Sequence, residues 1–206
     1  MVIQGVFPRS ITSCLHSTGT GVLAWDFRAH GKSEGEISTL GYNEELDVKA
    51  ALDFALAQPG VMHVGVWGGP MGTAAGIRAS AEYPEIEVVV ADSAYPTLKE
   101  VTEMRPPPML RPLVRLFGLI RTNVDLEWMR PVDDVARISP RPVFIIQGSD
   151  DRNIPAGSAA QLYQAAGEPR FLWVEEGVGH MGMYPRFGKT YADRVMAFFD
   201  EALLAP

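Results

Sequence analysis

Val61-Met62-His63-Val64-Gly65-Val66-Trp67 runs directly into Gly68-Gly69-Pro70-Met71-Gly72 and on into a helical pattern, Met71–Glu82. The first run is apolar and rich in valine, as a buried strand is, and the glycines mark a sharp corner. A second apolar run, Glu87–Asp92, follows the helix. Strand, corner, helix and strand together make a βαβ unit, whose two strands must lie parallel.

The same rhythm extends in both directions. Short β-branched runs at Val22–Asp26, Pro142–Gln147 and Arg170–Glu175 each lead into a loop or a helix. Helices are predicted over Asn43–Leu56, Pro155–Ala166 and Arg186–Leu204. In the first, Asn43 caps, Glu44 and Glu45 fill the first turn, and Leu46, Ala50 and Phe54 supply apolar positions. The last carries Phe187, Tyr191, Val195, Phe198 and Ala202 at helical spacing, which predicts a core-facing stripe. The fold class is therefore α/β: a mostly parallel sheet of about six strands with helices on both faces, a single domain over residues 1–206. Tyr95–Ile138 breaks the rhythm, because Pro106, Pro107 and Pro108 interrupt it before an apolar helix, Met109–Ile120, edged by Arg111, Arg115 and Arg121. This stretch reads as an inserted helical cap at about 95–138. Its Leu110, Leu113, Val114 and Phe117 are expected to pack onto the domain beneath, which disfavours membrane contact.

Composition bounds the function classes. With 206 residues, 47% apolar and 21% charged, the chain suits one well-cored domain. The formal charge of −7 and the lack of a long basic run argue against nucleic acid as a partner. Cys14 stands alone, so no internal disulfide forms, and His16, His30, His63 and His180 lack the paired spacing of a metal site. No metal and no cofactor are expected. No stretch approaches the roughly 20 apolar residues of a spanning helix, and a cytoplasmic protein is expected.

Several motifs together resemble the α/β-hydrolase superfamily, in particular its small esterase, lipase and aminopeptidase-like members. Asp26-Phe27-Arg28-Ala29-His30-Gly31-Lys32-Ser33 is similar to the D-x-R-G-H-G-x-S loop after the family's fourth strand, with Ala29 in place of a glycine. Gly68-Gly69-Pro70-Met71-Gly72 is similar to the G-x-S-x-G nucleophile elbow, with Pro70 at the serine position. Gly148-Ser149-Asp150-Asp151-Arg152-Asn153-Ile154-Pro155 resembles the acid loop, where the triad carboxylate falls on Asp151 and Asp150 is its neighbour. Gly177-Val178-Gly179-His180 resembles the loop of the triad histidine. Elbow, acid, histidine is the family's order. The resemblance implies a carboxylic-ester hydrolase scaffold with His180 as general base, Asp151 as its orienter, and backbone N–H groups of Met71 and Val6 as oxyanion donors. Val6 enters through Met1-Val2-Ile3-Gln4-Gly5-Val6-Phe7, similar to the end of the third strand plus the oxyanion turn. Two further strands that the family usually places before this point are missing, which predicts an open sheet edge and a possible route to a homodimer.

Pro70 departs from the pattern twice. It lacks a hydroxyl, and its ring fixes φ near −65° where an elbow nucleophile needs positive φ. The corner is expected to relax, with Gly69 near the cap and Pro70 at the first helical position, releasing about 1 to 3 kcal/mol of strain. Thr73 and Ser93 are the nearest substitute hydroxyls, expected beside the elbow and on another strand respectively. The helix expected over 10–17 is weak, being rich in Ser and Thr. Three readings stand open: a serine-hydrolase scaffold weak or inactive for want of its serine, a non-catalytic binder of an acyl-type ester or other apolar small molecule, and a damaged copy of an active enzyme.

Overall fold

The computed structural model describes residues 2–4 and 21–204. Val6, Cys14, His16 and the helix expected over 10–17 lie outside the described residues.

Six parallel strands form one sheet: β1 (Val2–Gln4), β2 (Val22–Ala24), β3 (Val64–Gly68), β4 (Ile86–Asp92), β5 (Val143–Gly148) and β6 (Arg170–Glu175). Their spatial order is β2-β1-β3-β4-β5-β6. β1 pairs with β2 through Val2 and Val22 and with β3 through Val2 and Gly65. The chain thus winds outward from β1 to β2, returns across β1 to β3, and winds the other way to β6. Reversal of winding opens a crevice at the carboxyl ends of β1 and β3, where open α/β sheets bind ligands. The corner at Gly68-Gly69-Pro70 sits at that crevice.

Both sheet faces are covered, which is why β3 and β5 are buried along their whole length. On one face α1 (Glu45–Leu56), α2 (Pro70–Glu82) and α6 (Ser158–Ala165) bring Leu52, Ile77 and Leu162 against Val64, Val66, Val89 and Ile145. On the other, α7 (Met183–Phe187) and α8 (Lys189–Leu204) bring Tyr191, Val195 and Phe199 against Trp67, Val88, Val90 and Ile146. Alternation along β3 sends Val64 and Val66 one way and Trp67 the other.

Three local expectations are corrected. The helix expected over Arg186–Leu204 is two helices broken at Gly188, whose φ of +48° suits a residue without Cβ. In α1 the buried apolar positions are Val48, Ala51, Leu52 and Ala55, whereas Leu46, Ala50 and Phe54 are exposed. Two apolar stripes run along this helix, and only docking on the sheet selects between them. Between β4 and β5 lie α3 (Leu98–Glu103), α4 (Arg111–Thr122) and the short α5 (Pro131–Asp134). Leu110, Leu113, Val114 and Phe117 do not pack beneath: α4 has no buried residue, and all four are exposed.

Candidate active site

β3 ends at Gly68, and α2 begins two residues later at Pro70. Gly69 caps the helix with φ −83° and ψ −172°, ordinary extended backbone, and Pro70 takes the first helical position. Among the described residues the non-glycine residues with positive φ are Ala29, Leu40, Ser93, Asn123 and Met181, and neither Gly69 nor Pro70 is strained, so the corner has relaxed as its proline requires. Its tight approach survives nonetheless. A Cβ on Gly68 would stand 2.6 Å from the backbone of Gly72 and of Thr73, so only glycine lets the strand end touch the helix start. The Thr73 hydroxyl donates to the Gly68 carbonyl, and the side chain is buried. Thr73 therefore braces the corner and offers no hydroxyl to a ligand.

The acid and histidine loops are drawn together by backbone. A Cβ on Gly148, the last residue of β5, would fall 2.1 Å from the Val178 carbonyl oxygen, and the Asp150 N–H donates to that same oxygen at 2.9 Å. With the loops so joined, Asp151 Oδ2 meets His180 Nδ1 at 2.7 Å. Asp151 Oδ1 accepts the N–H groups of Asn153 (2.8 Å) and Ile154 (3.1 Å), which fixes the carboxylate in place. Asp150 instead accepts from the Ser149 hydroxyl at 2.9 Å. Facing a carboxylate, Nδ1 holds the proton, and Nε2 is left as the basic nitrogen. The Asp151 side chain is 1% exposed and that of His180 26%, so the acid is sealed while the imidazole reaches solvent.

Pro70, Met71 and His180 line one cleft of about 490 Å³, walled by apolar side chains that include Tyr95, Leu98, Val101 and Ile154. Met71 lies in the first turn of α2, where backbone N–H groups have no intrahelical acceptor. Arg105 stands at the rim, its guanidinium donating to Asn153 at 2.7 Å. Leu40 enters the cleft from a loop held by Glu44, whose carboxylate accepts the N–H groups of Thr39 and Gly41, each at 2.8 Å. Burial pushes the Glu44 carboxyl up, but these bonds and those from the Thr39 and Ser38 hydroxyls outweigh it and hold it below its usual range. The Tyr95 hydroxyl donates to the Leu40 carbonyl from the opposite side. Leu40, Tyr95 and Glu44 were not among the residues expected at the site. Glu44 reads in sequence as a first-turn acid, and nothing local shows that it folds back on its own loop.

Behind the cleft runs a buried polar chain. The Trp67 indole N–H donates to the Tyr191 hydroxyl (3.2 Å), which donates to Asp92 Oδ2 (2.7 Å). The Ser93 hydroxyl donates to Asp92 Oδ1 (2.9 Å) and accepts the Met181 N–H (3.3 Å), beside His180. Ser93 is fully buried, so its hydroxyl is closed to a ligand. Burial pushes the Asp92 carboxyl up to about 6 despite the two donors. Its position at the carboxyl end of β4 is the signal that could have marked it.

The loop 26–33 is structural. Asp26 Oδ2 accepts the Lys32 N–H at 2.9 Å, and the Arg28 guanidinium pairs with Asp47 at 2.7 Å. Ala29 holds φ +57°, which is why a glycine would suit that position.

Comparison with known proteins bears on the fold that carries this arrangement. The prolyl oligopeptidase family matches residues 119–205. An uncharacterised protein of Mycobacterium tuberculosis is 28% identical over 189 residues, 91% of this chain and 62% of that protein. The uncharacterised protein YqkD of Bacillus subtilis is 25% identical over 194 residues, 88% of this chain and 63% of its own length. The chain thus spans less than two thirds of these relatives. Among solved structures, the Pyrococcus furiosus esterase Pf2001 superposes with a TM-score of 0.79 at 25% identity, covering 98% of this chain and 83% of that one. Strand order, connectivity and these likenesses lead to one assignment, and the chain belongs to the α/β-hydrolase superfamily.

Proposed function

We propose that this chain is a serine carboxylic-ester hydrolase scaffold whose nucleophile position is occupied by Pro70, so that it hydrolyses esters weakly or not at all. The observation that supports this most directly is the pairing, in one apolar cleft, of an oriented imidazole at His180 with a proline at the relaxed corner. In the serine enzyme implied by the fold, Nε2 of His180 would take the serine proton and Asp151 would steady the imidazolium. Here the base is present, and the two substitute hydroxyls expected nearest the corner, Thr73 and Ser93, are buried and bonded elsewhere. A water activated by His180 would lack the covalent step. The N–H of Met71 remains available as one oxyanion donor, and Val6 is the second in this reading. A binding role for an acyl-type ligand is the alternative, favoured by the apolar walls of the cleft. A single cysteine makes no use of an oxidising compartment, which suits a cytoplasmic protein.

Hydrolysis of short and medium p-nitrophenyl esters, with fluorophosphonate labelling alongside, tests the reading in the native chain, Pro70→Ser, Pro70→Ser/His180→Ala and His180→Ala. Pro70→Ser is expected to gain on the order of a hundredfold or more and to take up the label, and His180→Ala to abolish the gain. Native activity that vanishes in His180→Ala would show another nucleophile or an activated water and overturn the silencing. Inactivity of every folded variant would leave the binding role.

A further inference from the structure

We propose that α4 is a docking helix that lies on an anionic lipid surface beside the cleft. A helix on a globular domain turns its apolar stripe inward and its charges outward, and α4 does the reverse. Leu113, Leu116, Phe117 and Ile120 repeat at helical spacing on one face, and their exposures are 62, 52, 67 and 73%. Met109, at 84%, extends that face past the helix start. The side turned to the protein carries Val114, which lines the cleft, Gly118, which faces Leu126, and Arg115, held by Asp125 at 2.8 Å and Glu127 at 2.7 Å. Twelve residues make a helix of about 18 Å, too short to cross a bilayer core of roughly 30 Å but suited to lying in its interface. No helix among the described residues is long and apolar enough to cross a membrane.

Charge selects the occupant. Residues 104–124 hold Arg105, Arg111, Arg115 and Arg121 and no carboxylate, in a chain of net charge −7. Arg111 faces Glu103 at 3.6 Å on the flank, while Arg105 stands at the cleft rim and Arg121 is exposed in the last turn. A second copy docked about a two-fold axis would set equivalent arginines against each other. An anionic bilayer accepts both the apolar face and the arginines, whose stems can reach headgroups while the rings and branched chains enter the acyl region. Met104, Arg105 and Val114 belong to this segment and also line the cleft of Pro70 and His180. Docking would therefore place the cleft mouth at the bilayer, where an apolar ligand passes in without crossing water.

Sedimentation of the full chain with vesicles of phosphatidylcholine alone, or with about 30 mol% phosphatidylglycerol, tests the proposal. The native chain is expected to bind the anionic vesicles roughly tenfold or more tightly than the neutral ones, less so as salt rises. Phe117→Glu/Ile120→Glu should lose roughly tenfold or more of that binding with an unchanged circular dichroism spectrum, and Arg105→Gln/Arg121→Gln should lose the preference for anionic lipid. Absent vesicle binding, equal binding to both compositions, or undiminished binding by the glutamate variant would each overturn it. So would a dimer, seen by light scattering, that the glutamate variant dissolves while the native chain ignores vesicles. Binding is read without turnover, so the outcome is independent of whether Pro70 silences the chemistry.

Discussion

Asp92 and Pro70 both stand at carboxyl ends of strands, and they show how one side chain can set the behaviour of a site. Asp92 is buried between the hydroxyls of Tyr191 and Ser93, and burial raises its carboxyl to about 6 from an ordinary value of 3.8. The folded state therefore holds this proton more tightly than the unfolded chain. The stabilisation belonging to the protonated form is full below about pH 4 and is lost as pH rises through about 6, a difference of about 3 kcal/mol at 1.4 kcal/mol per unit. Asp92→Asn cannot titrate. The stability of Asp92→Asn minus that of the native chain, from urea midpoints, should rise by this order between pH 4 and pH 7, and a flat difference would refute the raised carboxyl. Pro70 acts through backbone instead: with φ fixed, it moves the corner into the helix, where the missing N–H costs little.

At the scale of elements, junctions matter more than the elements they join. Arg141 lies just before β5, and its guanidinium donates to the carbonyls of Ser80 (2.6 Å), Tyr83 (3.2 Å), Ile86 (2.7 Å) and Ile138 (3.1 Å). It satisfies carbonyls at the end of α2 and the start of β4, and burial pulls its own proton affinity down. Arg141→Met keeps much of the apolar stem and strands those acceptors, for a cost of about 2 to 4 kcal/mol. Arg141→Lys should recover little, because one ammonium cannot reach the same spread of carbonyls. Chemical denaturation of the two variants reads both effects. Of the elements themselves, the strands after β1 were legible within a few residues, since β-branched runs bounded by turns have few other uses. The buried side of α1 and the outward face of α4 were not, because a helix with two apolar stripes, or one apolar stripe and nothing above it, does not state which side meets the sheet.

Across the whole molecule, the sheet separates two apolar layers that share only its strands. Ile77 belongs to the layer of α1, α2 and α6, and Phe199 to the layer of α8. Ile77→Val should cost about 0.5 to 1.5 kcal/mol and Phe199→Ala about 3 to 5 kcal/mol. Having no shared partner across the sheet, the two should add to within about 0.5 kcal/mol in the double variant, while unfolding remains one cooperative transition by fluorescence and circular dichroism. A large coupling would mean that β3 and β4 shift to accommodate either loss. The sequence alone determined the parallel α/β class, the chain order of the corner at Gly68-Gly69-Pro70, the Asp151 loop and the His180 loop, and the absence of a hydroxyl at residue 70, because periodicity, glycine corners and residue identity are local properties. Tertiary structure alone decided that Ser93 and Thr73 are closed off, that Asp92 is buried behind the cleft, and that α4 shows its apolar face to the outside. Each of these depends on which surfaces meet when distant segments pack, and on the water that packing removes.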